Sequence, residues 1–257
     1  MRKGDVKNFS YRGSIEAYTI ETSGLYKLEV WGSHGGYSVG YKVLKRGTPI
    51  YVCCGGLNYP NGYFGSTHIA LVNGTIAGIG KTNFDRYGLI VAGGGGAYWG
   101  SGAWASGGGT NGGNQSRHFD GEYGKFGWDV IGASQYGGGY GVQWGTRPIL
   151  SWGGSFGQGN YLGGGGYYGG GTAQLGDGST DYAGGSGGSG WIGGVPSITF
   201  KGITYNPSTQ NGYNNDNNGS ARLTLVEKKS NIKKGTKDIT IYRGSHEAIG
   251  KRGIKDL

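Results

Sequence analysis

Residues 163–172 read GGGGYYGGGT, seven glycines in ten positions with Tyr167 and Tyr168 side by side. Whether such a run is slack chain or packed structure decides the fold, because the whole chain resembles it. Glycine accounts for 63 of the 257 residues, about a quarter, where ordinary usage is about 7 %. Glycine and proline at this level without a period usually mark low complexity or disorder. Here only five residues are proline, whereas seven are Trp, twenty Tyr and seven Phe, and charged residues make up 15 %. Disordered segments are poor in aromatics and rich in charge, because they bury too little apolar surface to offset chain entropy. A glycine-rich, aromatic-rich, charge-poor chain fits neither class, so the order of its segments has to decide.

Working outward from 163–172, the glycine runs fill residues 93–194, which hold 40 glycines in 102 positions. They cluster at 93–96, 107–109, 137–139, 163–166 and 169–171, with aromatic residues between them and no fixed repeat length. The absence of a strict G-X-Y period excludes collagen. Strand character lies on both sides. In LYKLEVW (25–31), Tyr26, Leu28 and Val30 share one face while Lys27 and Glu29 share the other, the period-two signature of a strand. PIYVCC (49–54) sets Ile50, Val52 and Cys54 together, and HIALV (68–72) and GLIVA (88–92) are short apolar runs. SITF (197–200) and ARLTLVE (221–227) resume the pattern after the glycine zone, separated by an Asn-rich turn, NGYNNDNNGS (211–220). No segment carries a 3.6-residue apolar stripe, so helices should be few. The simplest packing pairs the flanking strands (1–92 and 195–226) in a β-sandwich, with 93–194 emerging from one end. Residues 227–257 form a basic tail or small appendage.

The net charge of +9 is uneven: that tail holds nine Lys/Arg against four Asp/Glu. A basic tail suits nucleic acid or an acidic polymer, but a solvated terminus explains it equally, and the body shows no basic stripe that would track phosphates. Neighbouring Cα atoms stand ~3.8 Å apart, shorter than a disulfide prefers, so Cys53 and Cys54 read as two small strand residues and their redox state stays open. The opening MRKGDVKNFSYRG has no apolar run behind its basic residues, so no secretory signal of the usual form is expected. No window reaches the ~18–20 apolar residues of a membrane-spanning helix.

Little in the chain carries reaction chemistry. The histidines at 34, 68, 118 and 246 are scattered without metal-ligand spacing, and His34 reads as a polar turn residue. GIGKT (78–82) would need glycine at position 75 to make a phosphate loop, and Thr75 stands there. Asp120, Glu122 and Asp129 fall within ten residues, as glycosidase carboxylates sometimes do, but read as part of a solvated loop. No catalytic, metal-binding or cofactor-binding residue is therefore assigned, and no enzyme is expected. Aromatic rings are the chemical resource. Tyr and Trp offer large contact area at low entropy cost and stack on sugar rings, and loops on a stiff scaffold are where binding usually sits. The candidate receptor-contact residues are Tyr98, Trp99, Trp104, Trp128, Tyr136, Tyr140, Trp144, Trp152, Tyr161, Tyr167 and Tyr168. The competing reading is that these rings fill the space that the glycines leave empty.

The ordered set GLYKLEVWGSHGGYSVGY, TPIYVCCGG, GLIVAGGGGA, WGGSFGQGN, GGGGYYGGGT, AGGSGGSGWIGG and NGSARLTLVE resembles the glycine-rich domain family. That family is shared by the extracellular regions of anaplastic lymphoma kinase and leukocyte tyrosine kinase and by many bacterial and phage proteins. The resemblance spans roughly residues 9–226. It implies a mainly β fold, a TNF-like β-sandwich from which a bundle of polyglycine-II helices projects. Such helices have three residues per turn, ~3.1 Å rise and no internal hydrogen bonds, so their backbone groups must bond laterally. The kinase and membrane span of those receptors are absent, so cytokine recognition does not carry over. The tail piece KKGTKDITIYRGSHEAIGK is similar to terminal pieces of virion proteins in phages of Gram-positive hosts. The expected function is that of a non-enzymatic structural and adhesive protein, a phage virion fibre or receptor-binding component. Its partners would be other virion or surface proteins and a host-surface glycan or protein, and homo-oligomers are compatible with the fold. The alternative is a bacterial cell-surface or matrix scaffold without a specific ligand; nucleic-acid packaging through the tail ranks below both. The receptor, the oligomeric state and the role of the tail are left open.

Overall fold

The computed structural model describes residues 1–58, 63–97, 105–121, 124–176, 183–212 and 218–229. Over these described residues the chain is mainly β with two short helices. Its first zone carries β1 (Val6–Ser10), β2 (Glu16–Thr19), β3 (Gly24–Trp31), β4 (Tyr37–Leu44) and β5 (Pro49–Cys53). The two-residue strands β6 (Leu57–Asn58) and β7 (Tyr63–Phe64), then β8 (Thr67–Ala70), α1 (Ile76–Ile79), α2 (Lys81–Tyr87) and β9 (Gly88–Ala92) complete it. The glycine zone carries β10 (Gln115–Gly121), β11 (Gly124–Ile131), β12 (Tyr140–Gly145), β13 (Ile149–Trp152), β14 (Thr172–Leu175) and β15 (Gly184–Gly185). The chain returns through β16 (Ile198–Phe200), β17 (Ile203–Tyr205), β18 (Ser208–Gln210) and β19 (Ser220–Lys228).

The period-two face of LYKLEVW becomes the centre of the core. β3 pairs antiparallel with β4 and with β19, placing Leu28 opposite Leu223 and Tyr26 opposite Leu225. The flanking zones therefore do pair with each other, in a five-stranded sheet ordered β1-β19-β3-β4-β18. A second antiparallel sheet, β2-β5-β8-β9, supplies Ile50, Val52, Ile69, Ile90 and Ala92 to the same apolar cluster as Tyr26, Leu28, Val30, Leu223 and Leu225. Cys54 joins that cluster, and no disulfide links it to Cys53. His34 sits in the turn between β3 and β4 at φ 46°, a polar turn residue as its context suggests. β19 runs to Lys228, two residues past the boundary read from the sequence. The tail at 230–257 lies outside the described residues.

The four-stranded sheet is apolar on its other face too. Ala70 and Val91 pack there against Ile76, Ile79, Phe84 and Tyr167. The GIGKT stretch is the joint between α1 and α2, where Thr75 caps α1 by accepting a hydrogen bond from Gly78 N–H. His68 is fully buried on this face with the Phe84 ring edge-on at 5.7 Å. Burial, opposed only in part by the Gly74 carbonyl, pulls its pKa down from 6.5 to about 4.

The glycine zone is not glycine runs alone. It contains the sheets β10-β11-β12 and β13-β14-β15, which share a small core of Trp128, Val130, Ala173 and Leu175. Between these sheets and the two larger ones, the glycine segments bond sideways to one another. Gly94 N–H donates to Gly165 O (2.7 Å) while Gly94 O accepts from Gly188 N–H (3.0 Å). Gly188 O in turn accepts from Gly108 N–H (2.9 Å), and Gly187 N–H donates to Gly113 O (2.9 Å). Gly164 N–H reaches Ser186 O (2.9 Å), and Gly170 N–H reaches Gly164 O (2.7 Å). Buried backbone groups must be paired, and here most of these bonds run between segments far apart in the chain. A Cβ on Gly164 would stand 2.0 Å from Gly94 O, and one on Gly170 would stand 1.9 Å from Ser186 O.

Two outcomes follow from this arrangement. Gly164→Ala should destabilise the protein by at least about 1–3 kcal/mol, because the neighbouring atom is backbone and cannot swing aside. Gly137→Ala, with nothing within 4 Å of its Cβ, should be neutral or slightly stabilising; urea denaturation of both variants measures this. For His68, the unfolded chain takes up a proton below pH 6.5 that the folded chain refuses. Stability should therefore fall between pH 6.5 and 4, by up to about 1.4 kcal/mol per pH unit. A His68→Gln variant should lose that slope in denaturation curves collected across the same range.

Candidate functional site

The register of β10, β11 and β12 sorts their side chains onto two faces. Gln115, Arg117 and Phe119 lie opposite Val130, Trp128 and Phe126, and Trp128 and Val130 are buried in the small core. The other set is Ser116, His118 and Asp120 on β10, Lys125, Asp129 and Ile131 on β11, and Tyr140, Val142 and Trp144 on β12. His118 and Trp144 are both register partners of Gly127. With no side chain between them, the two rings stack at 4.3 Å between centroids and 12° between planes. Gly127 has φ +153°, and a Cβ there would stand 2.0 Å from Arg117 O, so no larger residue fits. Asp129 Oδ1 lies 2.9 Å from His118 Nε2 and holds the imidazole flat against Trp144. The sequence pattern treats Asp120 and Asp129 as loop residues. They stand instead on strands, Asp120 beside Lys125 at 3.2 Å and Asp129 beside His118. Glu122 lies outside the described residues.

At its Tyr140 end this face opens into a cleft of about 730 Å³ bordered by Asn111, Asn114, Ile131, Tyr136, Tyr140 and Asn211. Tyr136 is 92 % exposed and Tyr140 54 %, so their ring faces are available to a ligand. The Tyr136 loop is pinned rather than slack. Ser134 N–H donates to Gly137 O (2.8 Å), and Ser134 Oγ accepts from Tyr136 N–H and Gly137 N–H (both 3.1 Å). Asn114 Oδ1 accepts from Gly132 N–H at 2.7 Å, which fixes the amide and leaves its Nδ2 hydrogens as donors. The result is a line of rings (Trp144 on His118, then Tyr140, then Tyr136) flanked by one carboxylate and several amides.

The sequence-derived aromatics divide among several places. Tyr136, Tyr140 and Trp144 come together on this one surface. Trp152 and Tyr161 are partly exposed and pair at 6.4 Å on neighbouring β13 and its following loop. Two candidates must be withdrawn. Trp128 has no exposed surface, because its strand turns it into the small core where it fills the space above Gly184. Tyr167 is 4 % exposed and stacks on Trp191 at 5.1 Å. Its hydroxyl donates to Asp85 and accepts from Lys81 Nζ (2.9 Å), and burial pushes its pKa up to about 12. Tyr168 is half-buried, edge-on to Phe156. Tyr98, Trp99 and Trp104 lie outside the described residues. Sequence reasoning missed His118, Asp129, Asn111 and Asn114. The period-two spacing of His118 with Asp120 was a signal for the face, but nothing local marks which strands pair.

Replacing Trp128 with alanine should cost about 3–5 kcal/mol, whereas Trp144→Ala, which removes a half-buried ring stacked on His118, should cost less, about 1–2 kcal/mol. Parallel thermal and urea unfolding of the two variants checks this contrast between a fully buried ring and a half-buried one. No protein-family model matches this chain and no curated protein matches it, so the geometry above carries the functional reading alone.

Proposed function

We propose that this chain is a non-enzymatic structural and adhesive protein, a fibre or receptor-binding component of a phage virion, and that it grips a host-surface glycan with the outward face of β10-β11-β12. The observation that carries the reading is the line Trp144–His118, Tyr140, Tyr136 leading into an amide-lined cleft. Sugar rings present an apolar C–H face and an equatorial rim of hydroxyls. Flat aromatic rings meet the first, and Asp129 and Asn114 offer an acceptor and donors to the second. The charged side chains of the face are paired, Asp129 with His118 and Asp120 with Lys125, and the rings themselves lose little side-chain entropy on binding.

In this reading the scaffold is a TNF-like β-sandwich carrying a polyglycine-II bundle. Two features support it: the paired antiparallel sheets with one shared core, and the lateral bonding of the glycine segments. None of the glycines at 163–166, 169–171 or 184–188 takes up a left-handed φ, which agrees with the negative φ of that extended helix. A stiff mesh behind the rings keeps them pre-ordered for contact, the property that an adhesive tip needs. Other virion proteins would hold the opposite end.

An array of bacterial cell-wall and capsular polysaccharides tests the proposal. Wild type should retain at least one class, and Trp144→Ala or Tyr140→Ala should each weaken retention about tenfold or more while melting temperature stays within a few degrees. Absence of retention on every class, or retention indifferent to both substitutions, would return the protein to a scaffold without a specific ligand.

A further inference from the structure

Cys53 on β5 and His68 on β8 are register partners. Directly opposed residues of an antiparallel pair have Cβ atoms about 4.5–5.5 Å apart and project to the same face. Both border a cavity of about 340 Å³ that Tyr11, Gly13 and Ser14 also line. His68 is 2 % exposed. Its Nε2–H is committed to Gly74 O at 3.1 Å, so Nδ1 bears the lone pair, and that buried Nδ1 meets no hydrogen-bond partner. Buried polar atoms are nearly always satisfied, so an unmet acceptor at the wall of a cavity beside a free thiol asks for a ligand.

We propose that Cys53 Sγ and His68 Nδ1 form a two-donor site for a soft monovalent cation, Cu(I). Thiolate sulfur selects Cu(I) and imidazole suits copper. Structural zinc takes four donors in a tetrahedron. Among the described residues no group of three or more His, Cys, Asp or Glu stands close enough to hold a metal ion. A filled-shell monovalent ion accepts two donors, and one thiolate with one neutral imidazole balances its charge. On binding, the Cys53 S–H bond breaks, its proton passes to solvent and an S–Cu bond forms. The copper keeps its oxidation state, so no oxidant or reductant is needed. The Gly74 carbonyl is the outer partner that fixes the tautomer and aims Nδ1. Cys54 also borders the cavity, but it lies beyond the end of β5 and its side chain packs into the main apolar core, which sets it apart from the pair.

Anaerobic titration of the full chain against Cu(I) held by bicinchoninate tests the site. Wild type should withdraw one equivalent, Cys53→Ser and His68→Gln should each weaken binding by on the order of 100-fold or more, and Cys54→Ser should bind like wild type. X-ray absorption at the copper edge of the wild-type complex should find one sulfur and one nitrogen donor, a readout that needs no variant to fold. The site is overturned if wild type withdraws no copper. It is equally overturned if the first shell holds two sulfurs, or if a folded His68→Gln variant retains the metal undiminished.

Discussion

Glycine backbones in this protein approach one another closely enough that a carbonyl oxygen occupies the place a Cβ would take. At Gly93 the intruding atom is Gly188 O, at Gly112 it is Gly187 O, and at Gly185 it is Leu162 O. Such contacts exist only because hydrogen is the whole side chain. The same closeness lets N–H groups bond sideways to segments distant in the chain, as Gly188 N–H does to Gly94 O. Each lateral bond contributes only about 0.5–1.5 kcal/mol net, and ordering each residue costs about 1–2 kcal/mol of backbone entropy. One isolated glycine strand would therefore stay disordered. The mesh forms because many segments close together, and because apolar side chains at its borders add burial.

Those side chains show how the aromatics and glycines belong together. Trp128 lies where a Cβ on Gly184 would be, its Cη2 only 2.1 Å from that position. Phe84 covers Gly88, Tyr11 covers Gly56, and the Trp191 ring covers Gly193 in the same manner. Phe84, Phe156, Tyr167, Tyr168 and Trp191 form one connected group of rings, lying between the helices and the glycine segments. They join the four-stranded sheet to the mesh. Phe84 and Tyr167 are buried in this way and have no face left for a ligand, which separates them from Tyr140 and Tyr136.

The outward face of β10-β11-β12 inherits its order from the layers beneath it. Trp128 and Val130 anchor β11 on β14, and Gly127 makes room for the His118–Trp144 stack. The Cys53–His68 pair depends on a different layer, the four-stranded sheet covered by α1 and α2. The two sites are thus built on separate parts of the structure and can be tested separately.

The strand alternation in LYKLEVW, PIYVCC and ARLTLVE was legible in the sequence because burial on one face of a strand leaves a period of two. That pattern determined the mainly β class, the buried faces of β3, β5 and β19, and the return of the chain to the same sheet. The glycine content likewise determined that backbones could approach without side chains between them. Which glycine meets which carbonyl was not legible, since identical residues carry no pairing code. Nor could the sequence say that Trp128 turns inward while Trp144 turns outward. In a strand that choice depends on register, and register is decided by the partner strand. Tyr167 and Tyr168 show the same limit: adjacent in GGGGYYGGGT, one is sealed beneath Trp191 and the other half-open. Only the tertiary structure, by closing distant segments around them, gave the two rings different roles.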